Sequence, residues 1–259
     1  MLVGPCRVTL DSRFFQHFVG LLYAHQFSFR SIFIASEMPK PNYGIDAPTV
    51  VRNLAIAAVV FYLLAAFFVR AFLFTALGFT LAVVLMLWSS LYGKFRARDQ
   101  VLNAIPWRGD EQVLDVGCGH GLMLIGAAKR LTTGRATGID IWQDVDQANN
   151  SAAATLHNAE LEGESVDVKN GDARQIPFDD ATFDVIVSSL ALHNIYKREE
   201  REQALAEIAR VTKPGGHVAI LDIRHNYAPF FAQHGFTIVK RWHVFLFAGA
   251  TGAMVARKG

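Results

Sequence analysis

The sequence predicts an α/β fold, a doubly wound sheet of seven strands preceded by two hydrophobic helices. Three observations support this fold class. From residue 94 onward, short β-rich runs alternate with helical stretches, which is typical of βαβ units. A glycine-rich turn follows the first of these runs, at residues 117–121. The 259 residues are 52% hydrophobic with a mean hydropathy of +0.24, and the excess is concentrated at residues 54–91.

The two hydrophobic helices are predicted from two uncharged runs, residues 54–69 and 71–88, which Arg70 separates. Each run is apolar around the whole helix, so neither could leave a face in water. We therefore expect a helical hairpin over residues 51–93 that contacts the lipid bilayer through residues 54–91. The sequence leaves two alternatives open: a re-entrant or interfacial hairpin in which Arg70 snorkels, and a pair of helices buried inside an oligomer.

Basic residues predict the orientation of the hairpin. Arg52 precedes the first run, and Lys94, Arg96 and Arg98 follow the second. Because basic residues favour the cytoplasmic side of a membrane, both ends of the hairpin are expected there, with Arg70 at the far turn. The sequence thus predicts a membrane protein whose folded domain lies on the cytoplasmic side.

The chain is predicted to have three parts: a poorly ordered extension at 1–50, the membrane hairpin at 51–93 and the folded domain at 94–259. The extension lacks a cleavable signal peptide of the usual shape, because charged residues and histidines interrupt its apolar stretches. Met38, which opens the segment before the first hydrophobic run, is a candidate alternative start.

Seven strands are predicted in the folded domain from β-rich runs separated by turn residues. They cover residues 112–116, 135–139, 165–169, 183–188, 217–222, 236–242 and 251–257. The clearest helices between them cover 121–131 and 199–211.

Charge and cysteine content exclude several kinds of partner. The 25 basic and 23 acidic residues are spread along the chain without the basic stripe of a nucleic-acid interface, so no nucleic acid is expected. The two cysteines, Cys6 and Cys118, show neither pairing nor metal-ligand spacing, so neither a disulfide nor a metal is expected.

The sharpest motif is the apolar strand and glycine turn of residues 113–121. Gly117 and Gly119 lack a Cβ, which lets a ligand approach the backbone at the carboxyl end of a strand. A dinucleotide fingerprint requires a small residue at position 122, and Leu122 stands there instead. Asp115 would repel a phosphate but attract the ammonium of a methionine moiety. Its alternative role is to stabilise the turn through backbone N–H groups.

Two further acidic residues follow the next predicted strands. Asp140 ends the second strand and is suited to accept hydrogen bonds from both ribose hydroxyls. Asp172, after the third strand, could accept a proton of the adenine amino group, while Ala173 leaves room for the ring and Ile141 packs on it. For Asp172, a turn or capping role is the alternative. Cys118 is interpreted as a small loop residue rather than a nucleophile.

This ordered set resembles the class I S-adenosylmethionine-dependent methyltransferases, close to the methyltransferase type 11 group, which includes quinone-biosynthesis enzymes. The resemblance covers about 160 residues, 99–259. Its matching segments are VLDVGCGHG at 113–121, GID at 138–140, NGDARQIPF at 170–178, FDVIVSSLALHNI at 183–195 and VTKPGGHVAILD at 211–222.

The resemblance implies a Rossmann-like seven-stranded sheet with an antiparallel last strand, and S-adenosyl-L-methionine as the cofactor. The candidate cofactor-binding residues are Asp115, Gly117, Cys118, Gly119, Asp140, Ile141, Asp172, Ala173 and Ser188. His193 becomes the candidate catalytic base, because the segment after the fourth strand lies near the donor methyl group in that family. Capping or packing at the pocket rim is the alternative for His193.

The predicted function is therefore methyl transfer from S-adenosylmethionine to a small lipophilic acceptor, such as a lipid or quinone drawn from the bilayer. In-line displacement at a sulfonium depends chiefly on alignment, so no dedicated nucleophile is required. Two alternatives stay open on the sequence: a methyltransferase-like membrane scaffold that has lost catalysis, and a nicotinamide-dependent oxidoreductase.

Overall fold

The computed structural model describes residues 39–142, 150–223, 226–246 and 249–259, with only the backbone at residues 249 and 250. The chain divides into a first unit, Met1–Lys40, and a compact second unit, Pro41–Gly259, which contains every described helix and strand. The candidate start at Met38 and the extension before it lie outside the described residues.

The first elements are helices, and strands alternate with helices after them. The N-terminal helices are α1 (Pro48–Phe67), α2 (Phe72–Trp88), a π-helical turn (Ser89–Gly93) and α3 (Lys94–Leu102). Then come β1 (Gln112–Val116), α4 (Leu122–Ala128), β2 (Arg135–Asp140), α5 (Ala152–Leu161), β3 (Asp167–Asn170), β4 (Phe183–Ser189), a 3-10 turn (Leu192–Asn194) and α6 (Arg198–Val211). The chain ends with β5 (Thr212–Asp222), α7 (Ala228–Gln233), β6 (Phe236–Leu246) and β7 (Gly249–Lys258).

The strands form one seven-stranded sheet in the order β3-β2-β1-β4-β5-β7-β6. β1 pairs in parallel with β2 and β4, whereas β7 runs antiparallel to both β5 and β6. A two-residue connection between β6 and β7 permits only an antiparallel neighbour, since a parallel one needs a long crossover. The predicted fold class, including the antiparallel last strand and the two preceding hydrophobic helices, is confirmed. β6 and β7 are longer than predicted because they pair as a hairpin.

Alternate residues of the central strands fill two hydrophobic layers. Leu114 and Ile186 pack into the cluster that includes Ile208 of α6, and Val113 packs into the opposite cluster with Leu124 of α4. This alternation follows from the two-residue period of a strand. Both faces of the sheet are therefore covered by helices, and its carboxyl edge is left for a binding site.

The two N-terminal helices pack against each other as a hairpin. Its helix contact uses small residues, Ala58 and Ala65 of α1 and Ala76 of α2, which are buried. The hydroxyls of Tyr62 and Thr80 lie 3.2 Å apart across the pair. By length and composition, both helices of the hairpin qualify as candidate membrane spans.

The predicted boundary between the hairpin and the folded domain falls inside a continuous helix. α2 passes through the π-helical turn directly into α3 and ends only at Leu102. π-helical turns often occur at functional sites. The predicted poorly ordered extension also differs from the structure at its end, because residues 42–47 bind the folded domain and residues 48–50 begin α1.

Candidate active site

A cleft of about 810 Å³ lies at the carboxyl ends of β1, β2, β4 and β5. One wall is the glycine turn after β1, and the opposite wall is the segment after β4, residues 189–197. Its size falls within the range of pockets for small molecules and cofactors. The cleft is therefore where the predicted site residues have to be compared with the structure.

The glycine turn has the geometry that requires glycine. Gly117 and Gly119 both have positive φ angles, 74° and 50°. A Cβ on Gly117 would lie 2.3 Å from the Cβ of Ala191, so the turn and the segment after β4 touch at this point. The backbone N–H groups of Gly117 and Cys118 donate to the carbonyl of Ile139, at 2.8 and 3.1 Å, which ties the turn to β2.

Asp140 lines the cleft and is held by backbone donors from the glycine turn and from its own chain segment. One carboxylate oxygen accepts the backbone N–H of Gly119 at 2.9 Å, and the other accepts that of Trp142 at 2.8 Å. The side-chain amide of Asn150 also donates weakly to Asp140, at 3.4 Å. Because two oxygens offer about four acceptor positions, capacity remains for a hydroxyl of a ligand, and a second hydroxyl could replace the weak amide bond. Ile141, next in the chain, is exposed and also lines the cleft, where it offers an apolar surface to a flat ring.

Asp115 does not line the cleft. Its side chain is 1% exposed, and neither of its oxygens accepts a hydrogen bond of good geometry, although the backbone N–H of Leu124 is close enough to lower its pKa. Burial is the largest effect and, with the nearby charge of Asp140, raises the pKa of Asp115 to about 8. At neutral pH this group is largely protonated, so the predicted direct contact with an ammonium group does not fit the structure.

Asp172 lines the cleft but is held by an arginine. The guanidinium of Arg174 donates to both oxygens of Asp172, with the shortest contact 2.6 Å, and also donates to Glu200 at 2.7 Å. These bonds lower the pKa of Asp172. They also use most of its acceptor capacity, which leaves little for an adenine amino group. Ala173 packs partly against the core and lines the cleft, as the prediction requires.

Two other predicted cofactor residues point their side chains into the protein. The Cys118 thiol is buried beside Gly138, and burial raises the pKa of the thiol. This setting fits the predicted role of Cys118 as a small loop residue rather than a nucleophile. The Ser188 hydroxyl is buried and donates to the carbonyl of Val116 at 2.8 Å. Ser189 lines the cleft in its place, because adjacent strand residues face opposite sides.

His193 lies in the cleft on the 3-10 turn after β4, paired with an acid that the sequence reading did not select. Its Nδ1 lies 2.9 Å from Oδ1 of Asp222, out of line for a good hydrogen bond, while its backbone N–H donates to Oδ2 at 3.0 Å. Asp222 is buried and also accepts the hydroxyl of Tyr227 at 3.1 Å. Asp222 could have been selected from the sequence, because it is an acidic residue at the end of a predicted central strand.

Residues 42–47, here named the strap, form another wall that the sequence did not predict. Asn158 of α5 accepts the N–H of Asn42 at 2.8 Å and donates to its carbonyl at 2.9 Å. The buried ammonium of Lys94 donates to the carbonyls of Tyr43 and Gly44, at 2.8 and 2.7 Å. Tyr43 is among the strap residues that line the cleft.

Lys94 therefore has a different setting from the one predicted. It was expected among the basic residues at the membrane surface, but its side chain is buried and forms an ion pair with Asp46 at 3.3 Å. Burial lowers its pKa. Asp46 also bonds to the hydroxyl of Ser90 in the π-helical turn, so the strap, the base of the hairpin and the cleft share one polar network.

Comparison with known proteins matches this architecture. Residues 114–220 match the family model described as a methyltransferase domain. The chain carries a methyltransferase domain. It is 32% identical over 137 residues to a demethylmenaquinone methyltransferase of Staphylococcus aureus, an alignment that includes 52% of this chain and 53% of the relative. The chain thus spans about half the length of the curated relatives it matches.

Solved structures show the same fold as this methyltransferase domain. One is an S-adenosylmethionine-dependent methyltransferase from Aquifex aeolicus, with a TM-score of 0.50, 20% identity and coverage of 62% of this chain and 89% of that one. Another is the magnesium protoporphyrin IX methyltransferase of Synechocystis PCC 6803 with bound S-adenosylmethionine, with a TM-score of 0.52, 16% identity and coverage of 64% and 80%. The family match supports the predicted class I family, and these two structures, at 20% and 16% identity, show its fold; the second holds S-adenosylmethionine, which is the predicted cofactor.

The residues of the methyltransferase domain fit that cofactor at one end of the cleft. The glycine turn at residues 117–119, the carboxylate of Asp140 and the exposed face of Ile141 lie next to each other there. Among the residues that the structure describes, no group of three or more His, Cys, Asp or Glu side chains could hold a metal ion.

Proposed function

We propose that this chain is a membrane-anchored S-adenosylmethionine-dependent methyltransferase that acts on a lipophilic, quinone-like acceptor. The observation that carries the proposal is the division of one cleft into two ends. The glycine turn and Asp140 form a cofactor end, and the His193–Asp222 pair forms an end with apolar walls beside the base of the hairpin.

At the cofactor end, we assign the ribose hydroxyls to Asp140 and one face of the adenine to Ile141. The backbone at Gly117, Cys118 and Gly119 forms the floor, where the missing Cβ atoms let the ligand approach closely. The bound cofactor would supply an activated methyl group on a sulfonium. Asp115 is buried behind the turn and does not contact the ligand, and Ser188 is likewise buried and joins β4 to β1.

At the other end, His193 acts as the general base. Since its Nδ1 faces Asp222, its Nε2 is the nitrogen left to take the proton from the acceptor. Asp222 holds the imidazole ring and its charge stabilises the imidazolium that forms. His193 would take the proton that the acceptor atom loses when it receives the methyl group from the sulfonium.

The walls around this pair favour an apolar acceptor. The residues Leu190, Leu221, Ile223 and Leu246 line the cleft, and two of them, Leu221 and Ile223, flank Asp222, the partner of His193. Leu246 also packs on Gly93 at the base of the hairpin, so this part of the cleft lies next to the candidate membrane spans. The similarity to a demethylmenaquinone methyltransferase supports an aromatic, quinone-like acceptor dissolved in the bilayer.

The proposed organisation places the hairpin, Pro48–Trp88, in the membrane and the domain from Lys94 onward on its cytoplasmic side. Both termini of the hairpin are on one side, with Arg70 at the opposite turn. The exposed residues Arg52 and Arg96 remain to set the orientation by the positive-inside rule. Protease digestion of the domain in inside-out but not in right-side-out vesicles would support this orientation.

The experiment uses the full chain in lipid vesicles, the donor with a radiolabelled methyl group, and demethylmenaquinone as the acceptor probe. We expect label in a lipid-extractable product. His193→Ala should lower the rate by about 10²- to 10⁴-fold with donor binding unchanged. His157→Ala, which removes an exposed histidine of α5, is the matched control and should leave the rate unchanged.

Three results would contradict the proposal. Donor binding without transfer to the probe or to a total membrane lipid extract would indicate a scaffold that has lost catalysis. Binding of a nicotinamide cofactor in place of the donor would indicate an oxidoreductase. Full activity of His193→Ala would show that His193 is not the general base, although the chain would still be a methyltransferase.

A further inference from the structure

A surface at the end of β6 has features that neither the cofactor site nor the hairpin explains. Phe245 is 69% exposed although it lies one residue from the buried Leu246. The strand alternates here, so Val244 and Leu246 enter the core while Phe245 faces outward with His243 and Arg241. One exposed aromatic side chain is common, but several that lie close together mark a contact surface.

This strand end touches the base of the hairpin. A Cβ on Gly93 would lie 3.3 Å from a methyl carbon of Leu246 and 3.4 Å from the ring of Trp88. Leu246, Gly93 and Trp88 are therefore packed together. Tyr92, beside Gly93, is 62% exposed, so the exposed aromatic residues lie where the apolar helices end and the sheet begins.

The height of this cluster matches the headgroup layer of a bilayer. Gly93 lies five residues below Trp88, or about 7 Å along a helix. The headgroup region on each side of the hydrocarbon core is about 5–8 Å thick. If α2 crosses the membrane with Trp88 at the boundary, Phe245 and Tyr92 lie within this layer, where aromatic side chains are enriched.

Two exposed arginines frame the aromatic cluster. Arg96 follows the π-helical turn, and Arg241 lies four residues before Phe245 on the same outward face of β6. Neither forms an ion pair with another residue described by the structure. Their charges suit lipid phosphates, because basic residues near an anionic membrane surface are attracted to it.

We propose that Trp88, Tyr92 and Phe245, with Arg96 and Arg241, form a membrane-interface surface that seats the sheet domain on the lipid headgroups. The inference rests on the proposed membrane anchoring of the hairpin. Leu246, which lies behind Phe245, lines the cleft, so the same contact brings the acceptor end of the cleft to the bilayer. A lipophilic acceptor then enters from the lipid without crossing water.

The test measures the depth of three spin labels in the full chain in vesicles of phosphatidylglycerol and phosphatidylcholine. Cysteine is introduced singly at Leu81 in α2, at Phe245, and at Thr237, an exposed residue near the start of β6, in a Cys6→Ser background. Cys118 stays in place because its thiol is buried and its raised pKa makes it unreactive. Collisions with lipid-soluble oxygen and with a water-soluble nickel chelate report the depth of each label.

We expect the Leu81→Cys label in the hydrocarbon core, the Phe245→Cys label at the interface, and the Thr237→Cys label in water. Phe245→Asp should raise KM for the acceptor held in vesicles several-fold and leave KM for the donor unchanged. The distance of roughly 26 Å between positions 237 and 245 along an extended strand makes the two labels distinguishable.

The other outcomes separate this inference from the anchoring on which it rests. A lipid-embedded label at position 81 with a water-exposed label at 245 overturns the interface surface and leaves the anchor intact. A water-exposed label at position 81 overturns both. A label at 245 shielded from both reagents, with spin–spin broadening between molecules, would show that a second copy covers the edge strand β6 instead.

Discussion

The hairpin and the sheet domain are both rich in apolar residues, but they place them oppositely. In the sheet, Leu114 and Ile186 are almost completely buried between helices. In the hairpin, Phe67 is 76% exposed and Phe74 is 81% exposed. The comparison teaches that composition alone does not define a core: the domain encloses its apolar residues, whereas the hairpin has an apolar surface that water would not stabilise.

The two regions also differ in what stabilises them. The hairpin contact combines small side chains with the ring of Phe61, which packs on Phe72 and Phe79, and one pair of hydroxyls across it. The domain depends on carboxylates and backbone donors placed at strand ends, such as Asp140 and Asp222. The polar network of Lys94 joins the two. Substitutions in each region should therefore produce effects of different size and kind.

The largest effect is expected at the polar end of the domain. Asp140→Ala removes the acceptor for two ribose hydroxyls, and each charge-assisted hydrogen bond contributes about 1.5 kcal/mol, so Kd for the donor should rise on the order of 100-fold. Titration calorimetry of the full chain measures it. Asp140→Asn keeps one acceptor oxygen and should give an intermediate loss.

Asp167, an exposed carboxylate at the other end of the neighbouring strand β3, provides the control. Asp167→Ala should bind the donor as the parent protein does. If Asp140→Ala bound the donor with unchanged affinity while folded, the cofactor end of the cleft would have to be reassigned.

The next effect tests the junction between the two regions. Lys94→Met leaves two strap carbonyls and the Asp46 carboxylate without their buried donor, so the free energy of unfolding should fall by about 1–3 kcal/mol. Chemical denaturation in detergent, followed by tryptophan fluorescence, measures it. Arg96→Met changes an exposed basic residue two positions away and should cost less than about 0.5 kcal/mol.

A third prediction concerns the pH dependence of the domain. Asp115 has its pKa raised to about 8 in the folded protein, so between about pH 4 and 8 the folded state binds more protons than the unfolded state. Stability should therefore fall as the pH rises through that window. Asp115→Asn removes the titrating group. The free energy of unfolding of this variant should therefore exceed that of the parent by an amount that grows with pH and passes about 1 kcal/mol at pH 8.

Denaturation of the cofactor-free protein at pH 5 and pH 8 measures this slope. Asp179 is exposed and provides the control, since Asp179→Asn should leave the change in stability between pH 5 and pH 8 the same as in the parent. A parent protein whose stability does not fall between these pH values would show that Asp115 is ionised and paired when folded.

The smallest effect is expected in the hairpin. Ala65 is buried against the partner helix and Ala66 is exposed, so Ala65→Leu should destabilise the hairpin by about 1 kcal/mol through overpacking. Ala66→Leu adds apolar surface toward lipid and should be close to neutral. Thermal unfolding in lipid nanodiscs compares the two variants. Equal destabilisation would mean that both faces of α1 are packed, as in an oligomer.

Much of the architecture was predictable because it depends on local pattern. Seven β-rich runs, two uncharged helices and a glycine turn before Leu122 specify the elements, and the order of parallel strands follows from their helical crossovers. The cofactor end was predictable at Gly117, Asp140 and Ile141, because these residues follow strands whose carboxyl ends meet at one edge.

The sequence by itself thus determined the order of elements, the separation of an apolar hairpin from a folded domain, and the edge of the sheet that carries the site. Only the tertiary structure decided which strand residues face the cleft. β1 and β4 are covered on both faces, so their continuous apolar pattern does not indicate which side chains face the cleft. In the structure, Asp115 and Ser188 face the protein interior. The pairing of His193 with Asp222 and of Lys94 with the strap joins residues 29 to 51 positions apart. Such contacts depend on how helices and strands pack, which no local pattern records.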